Sequence, residues 1–426
     1  LVKKPSQEPF NYPNCLILQG TVLGKRGAVL LVLVFLAAIC TLSFLQVNAE
    51  PRTIVVPDDY ATIQEAVDVA SSGDTVLVKS GTYHQNVTIN KQISLIGEDS
   101  ETTILYGPKS STVLDPSSTI QINADNVKIS GFTIKDNMIA VNARGDMIQV
   151  VSNVMDVHPT GIELIGSFGT IANNTVTSSM SCYISISGSN NSIIENHVSG
   201  SIELTGSFNL VKGNSVGRIN LETADSNSIS NNNCVFLDLR GCSYNIVSRN
   251  VIRGDGNWGI YMGVGHDNVF YANNVSDFRS GHNGFGVALG GSRHGLSENN
   301  TFYHNNFINN SRGVGWNWDL NGTKNSWDNG KEGNYWDDER TSATHRAWND
   351  FNVTDDNKDG INDTPYVIND DNVDRYPLAF PFDIKNNTVV LPPQEPFPIA
   401  LAATVSVAIA AMVAIGLLVY FRKRNH

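Results

Sequence analysis

Charge is scarce in this chain. Only 16% of its 426 residues are Asp, Glu, Lys or Arg, and the formal net charge is −12. No basic stripe is available to neutralise phosphates, which argues against nucleic acid as a partner. Cysteine is scarce too: there are five, with no CxxC spacing, so neither a zinc ribbon nor a dithiol motif is spelled out. Cys15 and Cys40 fall in an N-terminal segment that reads as removable, leaving Cys182, Cys234 and Cys242. Those three are open to two readings, buried apolar residues or one disulfide with a thiol left over. The leucine frame that a leucine-rich horseshoe requires is also missing.

What the chain has instead is 36 Gly and an abundance of Asn, Ser and Thr, the composition of a β-rich protein. Short phrases recur in which Asn, or Gly in the first of them, stands beside β-branched or aromatic residues: "SGFTI" (130–134), "ANNTV" (172–176), "KGNSV" (212–216), "SRNVI" (248–252) and "ENNTF" (298–302). Aligned on the residue two before the branched position, they give Gly131, Asn153, Asn174, Asn196, Asn214, Asn233, Asn250, Asn273 and Asn300, a mean period of about 21 residues. Between them lie "GIELIG" (161–166), "YISISG" (183–188), "SIELTG" (201–206), "INLETA" (219–224) and "FLDLRG" (236–241), each alternating apolar with polar as a half-buried strand does. A period near 20 built of short alternating strands predicts a parallel β-helix, with apolar side chains stacked inside and Asn at the bends. Asn tolerates left-handed backbone and can bond the same amide one coil away. Residues 75–320 allow about 11–12 coils, roughly 55 Å of axis. Coil lengths vary between 201 and 300, so the sequence does not assign side chains to faces there.

The ends of such a solenoid need covers. "TIQEAVDVASSG" (62–73) predicts one: Thr62 and Glu65 form a capping box, Ile63, Ala66, Val67 and Ala70 make an apolar face, and Gly73 ends the helix. At the other end five of the six Trp lie between Trp316 and Trp348. Trp316, Trp318, Trp327, Tyr335, Trp336 and Trp348 have two readings, a buried plug or exposed platforms for sugar rings.

Both termini carry membrane signals. Lys25 and Arg26 precede an apolar run, and Val47-Asn48-Ala49 offers small residues before Glu50, which reads as a signal peptide or signal anchor over 25–49. Residues 1–24 read as an upstream extension. Pro398 to Phe421 is uncharged and long enough to span a bilayer, and Arg422, Lys423 and Arg424 place the tail in the cytoplasm. Residues 384–397 read as a Pro-rich stalk. The expected organisation is therefore a β-helix over 50–320, a Trp-rich cap with a calcium-type loop over 321–383, the stalk, a transmembrane helix over 398–421 and a basic tail over 422–426. The main domain is expected outside the cell or in the periplasm. Ten Asn-x-Ser/Thr sequons begin between Asn86 and Asn386, and those at Asn173, Asn190 and Asn299 arise from the repeat itself.

The strongest local motif is "DDNKDGIND" (355–363). Asp355, Asn357, Asp359 and Asp363 occupy positions 1, 3, 5 and 9 of an EF-type loop, Gly360 the sharp turn, and Ile361 can donate its carbonyl. Hard oxygens at alternate positions suit Ca²⁺, although Tyr366 stands where a bidentate Glu belongs and Pro365 disfavours a following helix. The alternative is a plain Asp/Asn/Gly turn.

The stretch "YATIQEAVDVASSGDTVLVKSGTYHQNVTINKQISLIGE" (60–98) resembles the opening of right-handed β-helix proteins of the pectin-lyase fold. "NSWDNGKEGNYWDDE" (325–339) with "DDNKDGINDTPYVINDDNVDRYPLAF" (355–380) resembles the C-terminal part of the NosD-type, periplasmic copper-binding β-helix family found among archaeal surface proteins. The resemblance spans about residues 52–382. It implies an all-β, right-handed parallel β-helix of the carbohydrate-binding and sugar-hydrolase type, and the family name implies copper delivery to nitrous oxide reductase. Against copper, the His residues are scattered and the Met residues show no MxxM spacing.

Lyases of this fold use carboxylate-bound Ca²⁺ with a Lys or Arg base, and hydrolases use paired carboxylates. The later coils carry Arg253, Asp255, His266, Asp267, Asp277, Arg279, His282, Arg293, His294 and His304, of which Asp255, His266, Asp267 and Arg293 are the first catalytic candidates. No tight carboxylate pair repeats in register among them. The leading expectation is therefore an anchored surface module that binds carbohydrate or cell-envelope components without catalysis. A polysaccharide lyase or glycosidase is the first alternative and a copper-maturation protein the second.

Overall fold

The computed structural model describes residues 50–107, 118–135, 138–157, 159–178, 182–280, 284–290, 296–317, 323–338 and 354–386. The expected extension, signal segment, transmembrane helix, basic tail and most of the stalk lie outside these residues. Among the described residues no helix is long and apolar enough to cross a membrane.

The chain winds into a parallel β-solenoid. One sheet stacks twelve strands from Thr53–Val56 to Thr301–Tyr303, and a second contains twenty, two halves per turn. Pairing within both is parallel and, apart from register shifts at Thr160/Ile162, Val198/Ser201 and Ile308/Asn310, in register, so like residues lie over like. Ile162, Ile184, Ile202, Ile219, Leu237, Ile260 and Val287 form one internal column, each at most 1% exposed. A Leu or Ile buried this way contributes about 1.5–3 kcal/mol, and the alternating strand fragments supply it at every turn.

The bends are held by asparagine, but in two ladders where the repeat alignment implied one. The first runs Asn153, Asn174, Asn196, Asn214, Asn232, Asn250, Asn273, Asn305 and Asn334; each Oδ1 accepts the backbone N–H of the preceding Asn at 2.9–3.1 Å. The second runs Asn191, Asn209, Asn227, Asn245, Asn268, Asn300 and Asn325 at 2.8–2.9 Å. The two flank each short strand of the first sheet, as Asn191 and Asn196 flank Ser192–Ile194. Asn232, not the aligned Asn233, is thus the ladder residue, and Asn300 belongs to the second ladder. Nor do the ladder asparagines adopt the left-handed conformation. Short of the last rung of each ladder, that falls on the residue before, such as Asn190, Glu195 and Asn231 at φ 61°, 55° and 56°. The division is physical: the preceding residue makes the corner, which leaves the ladder amide free to bond along the axis.

The expected capping helix forms over Ile63–Val69, with Thr62 and Glu65 exchanging both capping-box bonds and Ile63, Ala66 and Val67 buried. It ends on Ala70 and not on Gly73, which instead turns the chain into the strand Thr75–Val78 at φ 94°. A strand absent from the expected coils, Thr53–Val56, precedes it and starts the first sheet.

At the far end, solenoid order continues past residue 320 to Tyr335–Asp338, which pairs with Asn306–Asn310. An antiparallel hairpin, Tyr366–Asn369 with Asn372–Asp374, then receives both ladders. Asn325 donates its N–H to Asn372 Oδ1 at 3.0 Å, and Asn334 donates to Asp374 Oδ2 at 2.8 Å. The indoles of Trp327 and Trp336 bond the same two atoms at 3.2 and 2.8 Å. Both rings are buried and stacked, Trp327 on Phe302 and Trp336 on Tyr366, so these two tryptophans plug the end. The side chains of Trp316, Trp318 and Trp348 lie outside the described residues. Asn362 is buried at 2% exposure, which makes its sequon unfit for a glycan.

Two outcomes follow. Asn214→Ala strands the Asn196 N–H in the interior, so chemical denaturation should show a loss of about 2–3 kcal/mol. Asp374 is the one carboxyl at a ladder position; burial pushes it up to about 7 against the hydrogen bonds from Asn334 and Trp336. The folded state thus holds a proton that the unfolded chain releases near pH 4, and stability falls as pH rises from there through 7. Melting curves from pH 5 to 8 should show that slope, and Asp374→Asn should reduce it.

Candidate functional site

Three strands of the second sheet are unusually long: His197–Thr205, Ser215–Glu222 and Asn233–Arg240. Here both ladders advance by 18 residues per turn, and the two halves of the second sheet merge into one strand per coil. Among the described residues the coils from 196 to 250 are therefore the most even in length, contrary to the expected irregularity. Alternate residues point outward, and stacking places Ser185, Glu203, Asn220, Asp238 and Tyr261 in one column. Ser201, Arg218 and Phe236 stack beside them on one side, with Glu222 and Arg240 on the other.

These side chains line a groove of about 260 Å³ bounded by Glu203, Thr205, Arg218, Asn220, Asp238 and Arg240. Glu203 accepts two bonds from Asn220 Nδ2 at 2.7 and 2.8 Å and one from Ser201 Oγ at 2.5 Å. Asp238 is 3% exposed and clamped by Arg240 through Nε and Nη2 at 3.0 and 2.9 Å. That bond to Asp238 raises the already high pKa of the guanidinium. Asn220 Nδ2 is engaged by the Glu203 carboxylate, and its Oδ1 is buried with no hydrogen-bond partner. A buried acceptor left in this state calls for a donor from outside the protein. Aromatic rings border the polar column: Phe236 lies 6.4 Å from Trp258 and Trp258 5.2 Å from Tyr261. Arg218 stands over Phe236 and Arg240 over Tyr261, so both cations are held by ring faces.

The catalytic candidates from the sequence do not converge. Asp255 is exposed in the bend before Trp258–Met262, whereas His266 ends the short strand Gly265–His266 after it and Asp267 follows in the bend. His266 Nδ1 meets Asp267 Oδ2 at 2.8 Å, with Tyr244 edge-on to the imidazole and Asn299 bonded to the other Asp267 oxygen. Arg253 pairs with Asp277 at 2.6 Å, and Asn309 first, then Arg253, lowers the Asp277 pKa against its partial desolvation. His304 bonds Glu332 at 2.7 Å and stacks on Phe382. His282, Arg293 and His294 lie outside the described residues. The groove residues had a sequence signal of their own: "SIELT", "RINLE" and "FLDLR" align on their apolar pairs and leave Glu203, Asn220 and Asp238 at the same outward position.

For metals, the 355–363 loop closes on itself. Asp355 accepts the N–H of Asp359 at 3.0 Å and of Gly360 at 3.1 Å, Asn357 Oδ1 accepts from Asp359, and Gly360 has φ 86°. Asp363 Oδ2 turns to the Asp356 N–H, and Ile361 donates its own N–H to Asp359. Among the described residues no group of three or more His, Cys, Asp or Glu side chains is placed to share a metal ion. Cys182, Cys234 and Cys242 are buried free thiols, so the disulfide alternative does not form. Burial pushes Cys234 up to about 12 and Cys242 to about 11, which keeps both as thiols and poor ligands.

No known protein family matches the chain, and no curated protein does. Among solved structures it is similar to the A-module of a mannuronan C-5 epimerase from Azotobacter vinelandii, at 12% identity and TM-score 0.44, covering 61% of this chain and 93% of that one. It is also similar to the catalytic domain of a family GH87 α-1,3-glucanase, at 10% identity and TM-score 0.44, covering 67% and 70%. A PL6-family alginate lyase aligns at 18% identity and TM-score 0.38 over 65% of this chain and 51% of its own.

Proposed function

We propose that this protein is a carbohydrate-binding β-solenoid, displayed at the cell surface by its C-terminal apolar segment, with the Glu203–Asn220–Asp238 groove as its sugar site. The observation that carries this reading is the unpartnered Asn220 Oδ1 between two fixed carboxylates. One sugar hydroxyl supplies the missing donor, and neighbouring hydroxyls of the same ligand can donate to Glu203 and Asp238. Half-buried Trp258 and Tyr261 offer ring faces to the apolar side of a pyranose.

Binding is favoured over bond cleavage by the company the carboxylates keep. Glu203 and Asp238 stand two rungs apart, roughly 10 Å between backbones, close to the upper separation found in inverting glycosidases. A general acid needs a carboxyl proton aimed at the leaving oxygen. Here Asp238 faces a guanidinium through both oxygens, and Glu203 is held by an amide and a hydroxyl donor. Titrating the full chain with neutral and acidic oligosaccharides tests the reading. Binding of at least one is expected, with affinity about tenfold lower in Trp258→Ala, equivalent to 1.4 kcal/mol. No reducing ends or unsaturated products are expected. Product formation lost in Glu203→Gln would make the protein an enzyme instead, and no binding would reject the site.

The 355–363 loop is part of the same proposal, as a calcium staple. Its donor set is all oxygen, from Asp355, Asn357, Asp359, Asp363 and the Ile361 carbonyl, which suits a hard cation. The loop is tied to the segment after the cap by Asn362 N–H to the Pro377 carbonyl at 2.7 Å and Ala379 N–H to the Gly360 carbonyl at 2.9 Å. Ten-millimolar calcium should therefore stabilise the protein by about 1–3 kcal/mol if the site binds in the range of extracellular modules. Asp355→Asn with Asp359→Asn should remove the effect, and no heat of binding in calorimetry would rule the site out.

A further inference from the structure

One corner of the solenoid carries side chains that its backbone does not call for. Just before each asparagine of the second ladder from Asn191 to Asn300 stands a left-handed residue, and Asn126 and Met147 begin the same line. It then runs through Phe168, Asn190, Phe208, Ser226, Tyr244 and Asp267, with φ between 56° and 62° throughout. They stack coil on coil: the N–H of Phe168 bonds the Ser189 carbonyl, that of Phe208 the Asp225 carbonyl and that of Tyr244 the His266 carbonyl. Asn and Asp suit this conformation, whereas a bulky side chain is strained in it. Yet Phe168, Phe208 and Tyr244 are 62%, 42% and 55% exposed, so burial does not repay the strain. Strain kept at exposed aromatic positions points to a use outside the fold.

The spacing and the charge define that use. Phe168, Phe208 and Tyr244 fall on alternate rungs, separated by Asn190 and Ser226, which sets the rings roughly 10 Å apart along the axis. In an extended β-1,4-linked polysaccharide every second pyranose presents the same face, and that repeat is of similar length. Aromatic faces at such intervals therefore meet equivalent sugar faces. Beside the ridge run Asp125, Asp146 and Asp225, whose carboxylates accept backbone N–H bonds at 2.7–2.8 Å within the turns. This acidic border on a chain of net charge −12 disfavours polyuronates and selects a neutral polymer. The ridge adjoins the groove: Thr205 precedes Phe208 by three residues and Arg240 precedes Tyr244 by four, both at the groove's edge.

We infer that the corner Phe168–Phe208–Tyr244 is a docking ridge for a neutral, extended β-1,4-linked polysaccharide lying along the solenoid axis. The inference rests on the carbohydrate reading of the groove and adds a polymer class and a second contact line. Its test uses the full chain, with microcrystalline cellulose for the ridge and cellohexaose and alginate in solution for comparison. The variant replaces Phe168→Ser, Phe208→Ser and Tyr244→Ser, the residue this corner carries at Ser226, so the backbone conformation is kept. Retention on cellulose should fall at least tenfold while the melting temperature holds or rises. Oligosaccharide binding in the groove, read by its dependence on Trp258, should persist. Equal retention of variant and wild type, no retention of wild type, or stronger binding to alginate than to cellulose would overturn the ridge. Loss of groove binding with intact cellulose retention would instead overturn the groove and leave the ridge standing.

Discussion

A chain that winds into coils must turn sharply several times per coil, and each corner leaves backbone amides pointing along the axis with no strand to receive them. In this protein one interaction solves that problem throughout: the side-chain amide of an asparagine receives the N–H of the coil before it and donates onward. An unpaired buried amide costs about 1–3 kcal/mol, so the two ladders together fix where every corner falls. Once the corners are fixed, the strands between them stack in register, and both the apolar core and the outward columns follow. The hairpin at Asn372–Asp374 has the same logic, because it gives each ladder a final acceptor.

The groove proposed as the sugar site is a consequence of that constraint. Turns of 18 residues leave no room for excursions, so Glu203, Asn220 and Asp238 are aligned by the backbone rather than by loops. A site built on a rigid sheet suits recognition of a long, repeating ligand. The longer steps from Asn273 to Asn305 and from Asn268 to Asn300, 32 residues each, put extra chain on the later coils. Of the His and Arg that draw the eye in the sequence, the described Arg253, His266 and His304 sit in separate ion pairs and stacks.

Much of the architecture was legible. The Asn phrases and alternating fragments specify a parallel solenoid, and Thr62 with Glu65 specifies the cap helix, because each is a local pattern with a local cause. The doubling of the ladder was not, since Asn191, Asn209 and Asn227 stand five residues before Asn196, Asn214 and Asn232, and one alignment per coil absorbs only one set. The groove escaped for a related reason: polar residues on a strand look like a solvated face until the register shows which of them share a column. Asp374 carries no sign in the sequence that it closes a ladder, because the acceptor role comes from 40 residues away in the chain.

The most direct test of the account is a crystal structure of the protein with cellohexaose. The account predicts a sugar hydroxyl within hydrogen-bond distance of Asn220 Oδ1, with a pyranose against Trp258 or Tyr261. Oligosaccharide bound elsewhere, with Asn220 Oδ1 satisfied by ordered water alone, would contradict it.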